Sequence, residues 1–196
     1  MFSGALSANP NTSGWQTGKV TDMAYMFRNA GLANPDTSAW DTSEVTTMEG
    51  MFNSTAAATP NTSTWDTSSV TNMNYMFTNA LSAAPDTSTW DTSNVTTMAS
   101  MFNVANAADP NTSNWNTSNV TDMSYMFDCF MESCVANPDT SNWNTGAVTN
   151  MGSMFRGATV ANPDTSTWDT SSVTNMHYIF SGAFAANPNT SNWDTS

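Results

Sequence analysis

The sequence predicts a β-solenoid in which about eight coils of 25 residues stack along residues 1–196 as one tandem-repeat unit, each coil holding a short parallel strand and a short helical turn. Three observations carry this reading. Tryptophans stand at Trp15, Trp40, Trp65, Trp90, Trp115, Trp143, Trp168 and Trp193, a spacing of 25 broken once by 28, and prolines keep the same beat from Pro10 to Pro188. The columns of Thr62, Ser63, Trp65, Thr67, Val70, Thr71, Met73 and Phe77 are invariant in every complete copy, whereas those of Thr64, Ser69 and Asn74 vary. Finally, no single unit has enough apolar surface to bury on itself, so copies must stack to form a core.

Taken in order from Pro60, each stretch of the unit has a physical reading. Pro60 blocks continuation of the preceding segment, and the Pro-Asn/Asp-Thr-Ser sequence is turn chemistry. Thr67 to Thr71 is β-branched or small, with Val70 pointing inward, and reads as the strand. Met73, Met76 and Phe77 stand at i, i+3 and i+4, so they share one face of a helical turn before an Ala-rich linker. Stacking at strand spacing places Trp40, Trp65 and Trp90 in one core file, with parallel files of Val45, Val70 and Val95, of Met48, Met73 and Met98, and of Phe52, Phe77 and Phe102. Eight coils at that spacing make a rod about 40 Å long. A second period alternates large and small residues: Tyr25, Gly50, Tyr75, Ser100, Tyr125, Ser153, Tyr178. It reads either as descent from a duplicated 50-residue pair or as bulky rings needing alternate gaps.

The formal charge is −13, and Lys19, Arg28 and Arg156 are the only fixed cations. No basic stripe exists to neutralise phosphates, which excludes nucleic acid and anionic membrane as expected partners. No run of apolar residues is long enough to span a bilayer, so no membrane insertion is expected in this segment. Charged residues make up only 10% of the chain, so solubility rests on Ser, Thr, Asn and Asp, a balance that points outside the cell. Met1 falls in the Met-Phe column and Trp193 to Ser196 stop partway through a unit, from which we expect a segment of a longer array.

The run Trp115-Asn116-Thr117-Ser118-Asn119-Val120-Thr121-Asp122-Met123-Ser124-Tyr125-Met126-Phe127 resembles the W-D-T-S-N-V-T-D-M-S-x-M-F repeat of BspA-like surface proteins, which are related to leucine-rich repeats. The resemblance covers the whole chain. It implies a right-handed, leucine-rich-repeat-like solenoid, an extracellular or cell-surface location, and adhesion to host or matrix. The chain departs from that family in the segment Ala33 to Ser38, which lacks the family's usual Phe and Ile and so thins the core.

Candidate sites are few. Cys129 and Cys134 lie in the one irregular unit, where three extra residues fall near 128–135; they read as a short-range disulfide or as two small buried thiols. His177, the single histidine, sits in a variable column, and the carboxylates Asp41, Asp66 and Asp91 recur as a ladder without converging, so we expect no catalytic residue, no cofactor and no enzyme. Acidic ladders suit Ca²⁺ at most weakly, because Gln16, Asn116 and Asn144 interrupt the file; capping of turns is the competing reading, and no dedicated metal site is expected. Regular Thr files are the candidate binding surface: Thr37, Thr62 and Thr87 in one, Thr42, Thr67 and Thr92 in a second, Thr46, Thr71 and Thr96 in a third. The function expected is a non-catalytic extracellular scaffold for adhesion or display, holding a cell-surface or matrix protein or a glycan by many weak contacts. The alternatives are a filament subunit whose partner is a second copy stacked end to end, and an ice-binding surface made of the Thr files.

Overall fold

A computed structural model describes residues 1–194 of the chain. The coils do stack, but they are built differently from the expectation. Among the described residues there is no helix and no strand longer than a single bridge. Seven residues, one per coil, pair in six parallel bridges that run Asp22–Thr47–Asn72–Thr97–Asp122–Asn150–Asn175. The predicted β-solenoid coil, with its strand and helical turn, is therefore corrected to a stack of coils made almost entirely of turns.

The third unit shows why each predicted element fails. Within the expected strand, Val70 donates its backbone N–H to the Thr67 carbonyl at 2.9 Å and closes a turn at Ser68–Ser69. The Asp66 side chain accepts from the Ser68 backbone N–H at 2.9 Å and from its hydroxyl at 2.6 Å, which locks that turn. The expected helical turn fails because Tyr75 has φ +58° and Asn79 has φ +55°, left-handed values that an α-helix cannot contain. Met76, Thr78 and Ala80 donate back three residues inside the coil, to Met73, Tyr75 and Phe77. Met73, Tyr75, Phe77 and Asn79, the alternate positions, instead donate to Thr97, Ala99, Met101 and Asn103 of the next coil at 2.8–3.2 Å. The left-handed residues are what turn every second N–H along the stack.

Two columns of each coil carry this conformation. One is the alternating column from Tyr25 to Tyr178; the other contains Gly4, Asn29, Ser54, Asn79, Val104, Gly157 and Gly182. The second is filled mostly by Gly and Asn, the residues that bear a positive φ at least cost. At Tyr25 and Tyr75 the strain of a bulky residue, on the order of 1–3 kcal/mol, is offset by the inter-coil hydrogen bond.

The core lies between the turns. The predicted files Trp40, Trp65 and Trp90, Val45, Val70 and Val95, Met48, Met73 and Met98, and Phe52, Phe77 and Phe102 are all at most 3% exposed. Rings stack along the axis nearly parallel: Phe52 and Phe77 at 5.6 Å and 6°, Trp65 and Trp90 at 6.4 Å and 5°. These centroid distances exceed the spacing of hydrogen-bonded strands, about 4.8 Å, so the rings are slipped, the arrangement that their quadrupoles favour. The indole N–H of Trp40, Trp65, Trp115, Trp143 and Trp168 is buried without a hydrogen-bond partner, while that of Trp90 reaches the Thr62 carbonyl at 3.4 Å.

Candidate functional site

Two of the three Thr files lie inside the stack. Thr37, Thr62, Thr87, Thr42, Thr67 and Thr92 are at most 1% exposed, which corrects the expectation that they form a binding surface. Each hydroxyl donates to a backbone carbonyl of the following coil: Thr62 to Asp86 at 2.7 Å, Thr67 to Asp91 at 2.8 Å, with Thr37, Thr87, Thr42 and Thr92 doing the same to Asn61, Asn111, Asp66 and Asn116. A short β-branched side chain reaches the next coil, and its hydroxyl satisfies a carbonyl that the turn leaves free. These two files tie coil to coil and offer no hydroxyl to ice or to a partner, whereas Thr46, Thr71 and Thr96 are exposed, their hydroxyls donating to carbonyls of the preceding coil.

The acidic ladder caps turns. Asp41 and Asp66 each accept from the hydroxyl and backbone N–H of the serine two residues on, and Asp91 from the backbone N–H of Ser93. Serine hydroxyl bonds, then the backbone bonds, hold the carboxyls of Asp36, Asp41, Asp86 and Asp91 below their ordinary 3.8. Among the described residues no three His, Cys, Asp or Glu side chains are grouped to hold a metal ion. His177 is exposed, with Nδ1 2.6 Å from Asn175 Oδ1 and its ring against the edges of Tyr125 and Tyr178.

The surface feature that stands out is the linker edge. Of eleven exposed large apolar residues among the described residues, eight fall in the linkers before the prolines: Leu6, Leu32, Leu81, Phe130, Met131, Val135, Val160 and Phe184. The linkers are tied along this edge by backbone bonds such as Leu32 N–H to the Leu6 carbonyl and Val135 N–H to the Asn106 carbonyl, so the apolar side chains lie along one edge, with gaps at the linkers 54–59 and 104–109. The edge is hard to read in the sequence because its members are spread over two neighbouring columns, with Leu6, Leu81 and Phe184 in one and Leu32, Val135 and Val160 in the next. A Leu, Val or Phe appearing in nearly every Ala-rich linker was the available signal.

The irregular loop adds three residues to this edge, Phe130, Met131 and Val135, and here the chemistry is specific. Cys129 and Cys134 form a disulfide with Cα atoms 6.0 Å apart, closing residues 129–134 into a ring. Phe130 is half exposed at its rim, and Met131 is 87% exposed at its tip. Beneath the ring lies Asp128, 2% exposed, whose carboxylate takes the Phe130 backbone N–H at 3.0 Å and the Arg156 guanidinium through two bonds of 3.2 and 2.5 Å. The hydrogen bond to Asp128 raises the Arg156 pKa above its ordinary value. The guanidinium also stands 4.8 Å from the Phe130 ring centroid, holding the ring from below. Gly157, at φ +71°, lets the loop seat: a Cβ there would come within 2.8 Å of Phe130 Cα.

Turn-built coils, inter-coil threonine ties and one stapled apolar loop define a tandem-repeat protein. The chain belongs to the DUF285 family, described as Mycoplasma protein of unknown function, which matches residues 1–109, 55–132 and 128–196. No curated protein and no solved structure matches it.

Proposed function

We infer that the protein is a non-catalytic repeat scaffold that works outside the cell or at its surface, adhering to a partner protein through the linker edge. The observation that carries this is the concentration of exposed apolar side chains on one edge, with Phe130 and Met131 raised above it on a disulfide-closed ring. Exposed apolar edges of this kind are sites of protein association, and a disulfide persists in oxidising surroundings. The resemblance to BspA-like repeats points the same way. Pre-organisation lowers the entropy lost on docking, since the ring is fixed by the disulfide and by the Asp128–Arg156 pair before any partner arrives. The other exposed apolar residues of the edge add weak contacts, which sum along the stack.

The test is retention of chain-coated beads on intact cells and on layers of matrix protein under flow. Wild-type beads are retained, and a Phe130→Ser, Met131→Ser double variant loses most of that retention while keeping its Tm. Equal retention of the two would overturn the reading.

A further inference from the structure

Two of the three fixed cations of this acidic chain, Arg28 and Arg156, stand in the same column of the coil, and both lie against tyrosines of the alternating file. Arg156 sits 5.7 Å from the Tyr125 ring centroid and grips the Asp128 carboxylate with two bonds. Asp128 occupies the equivalent position of the preceding coil. Arg28 sits 5.3 Å from the Tyr25 ring centroid, but the equivalent position before it is Ser3, and Arg28 has no ion-pair partner among the described residues. The guanidinium is thus presented on an aromatic face, as at Arg156, without a carboxylate.

It opens into a slot of about 160 Å³ lined by Tyr25, Arg28, Asn53 and Tyr75. The slot exists because of the large-small alternation: Gly50 lies between the two tyrosines, and the Tyr25 ring lies down over it. Tyr25 is fixed there by its hydroxyl, which donates to Glu49, while Glu49 also accepts from the Asn72 amide. The carboxylate of Glu49, which touches the slot's wall, is therefore already engaged, and the Arg28 guanidinium over the Tyr25 ring has no carboxylate partner among the described residues. Tyr75 is 41% exposed and offers a ring to a ligand.

We propose that this slot binds the acidic sugar unit of a glycan, with the ligand carboxylate on Arg28 and the sugar ring against Tyr75. The planar guanidinium matches a carboxylate through two parallel N–H···O bonds, as Arg156 does with Asp128. The negative face of a tyrosine ring attracts the polarised C–H bonds of one side of a pyranose, and Asn53, whose amide oxygen accepts from the Ser54 hydroxyl at 2.9 Å, lines the slot and has an NH2 donor for a ring hydroxyl. The volume admits a single ring. The site is separate from the linker edge and does not depend on its role.

Saturation-transfer difference NMR on the whole chain tests this, with glucuronate and glucose as probes that differ only at the carboxylate. Saturation reaches the ring protons of glucuronate, and glucose binds about tenfold more weakly, the loss expected when a charge-assisted bond is removed. Arg28→Gln brings glucuronate down to the level of glucose, and Tyr75→Ala abolishes both signals. Both side chains are at the surface, and an unchanged Tm shows that the stack is intact. Equal saturation of the two sugars, saturation of neither, or glucuronate binding unaffected by Arg28→Gln overturns the proposal.

Discussion

The ring of Tyr25 lies on Gly50 of the following coil, so that a Cβ at Gly50 would stand 2.6 Å from both Cδ1 and Cε1 of the ring. The large-small alternation is thus a packing requirement at this pair, whatever its ancestry. Gly50 also holds φ +55°. Gly50→Ala meets both penalties and costs about 2–4 kcal/mol. In a Tyr25→Ala background the steric share disappears and the same substitution costs about 1 kcal/mol. Urea unfolding of the four proteins measures the coupling, and equal costs in the two backgrounds would leave only the backbone strain.

Buried threonine hydroxyls bind the coils together. Thr62→Val keeps the shape and leaves the Asp86 carbonyl without its 2.7 Å bond, at a cost of about 1–3 kcal/mol. Thr64, two residues away and exposed, tolerates the same change to within about 0.5 kcal/mol. Thermal unfolding of both variants separates a tie between coils from a surface hydroxyl.

Acid weakens the stack through its turn caps. The Asp36, Asp41 and Asp86 carboxyls titrate below their ordinary 3.8 because the hydroxyls, then the backbone N–H groups, of Ser38, Ser43 and Ser88 bond the charged form. A depressed folded pKa contributes stability above the unfolded value, and that contribution is lost as pH falls through the folded value. The Tm therefore declines below about pH 4, the range in which the free carboxyl begins to protonate. Ser38→Ala, Ser43→Ala and Ser88→Ala together make the decline shallower. At the other extreme, the Glu49 hydrogen bond, then burial, raise the Tyr25 hydroxyl to about 12, so its contribution is complete below pH 10 and is lost as pH rises through about 12.

The tryptophan file contributes through its area and not through its N–H. Trp65 is 2% exposed, with an indole nitrogen that has no partner. Trp65→Phe removes that unsatisfied donor along with some apolar area and costs under about 2 kcal/mol, whereas Trp65→Ala opens a cavity and costs about 3–5 kcal/mol. A Phe variant as unstable as the Ala variant would show that the indole N–H makes a bond after all.

Much of this architecture is legible in the residues. A strict 25-residue beat requires stacking, because no unit buries its own apolar face, and invariance across copies marks Trp65, Val70, Met73 and Phe77 as inward residues wherever the backbone takes them. Apolar spacing of i, i+3 and i+4 does place Met73, Met76 and Phe77 together in the core. It does not make a helix, since spacing reports which side chains share a face and says nothing about the sign of φ at Tyr75 between them.

The sequence by itself determined the period, the inward files and the position of the one irregular loop, since each follows from comparing copies within the chain. Only the tertiary structure decided the rest. In the column that holds Asn29, Asn79 and Gly157 local propensity favours the left-handed turn, but at Tyr25, Tyr75 and Tyr125 no local propensity encodes it, and the neighbouring coil supplies the acceptor for the N–H that is turned outward. The threonines of the Thr62 and Thr67 files are inside and the linker apolar residues outside for the same reason. A hydroxyl that finds a carbonyl one coil away is satisfied in the interior, whereas the linkers wrap the outer edge, where no next layer exists to cover Leu32, Val160 or Phe184.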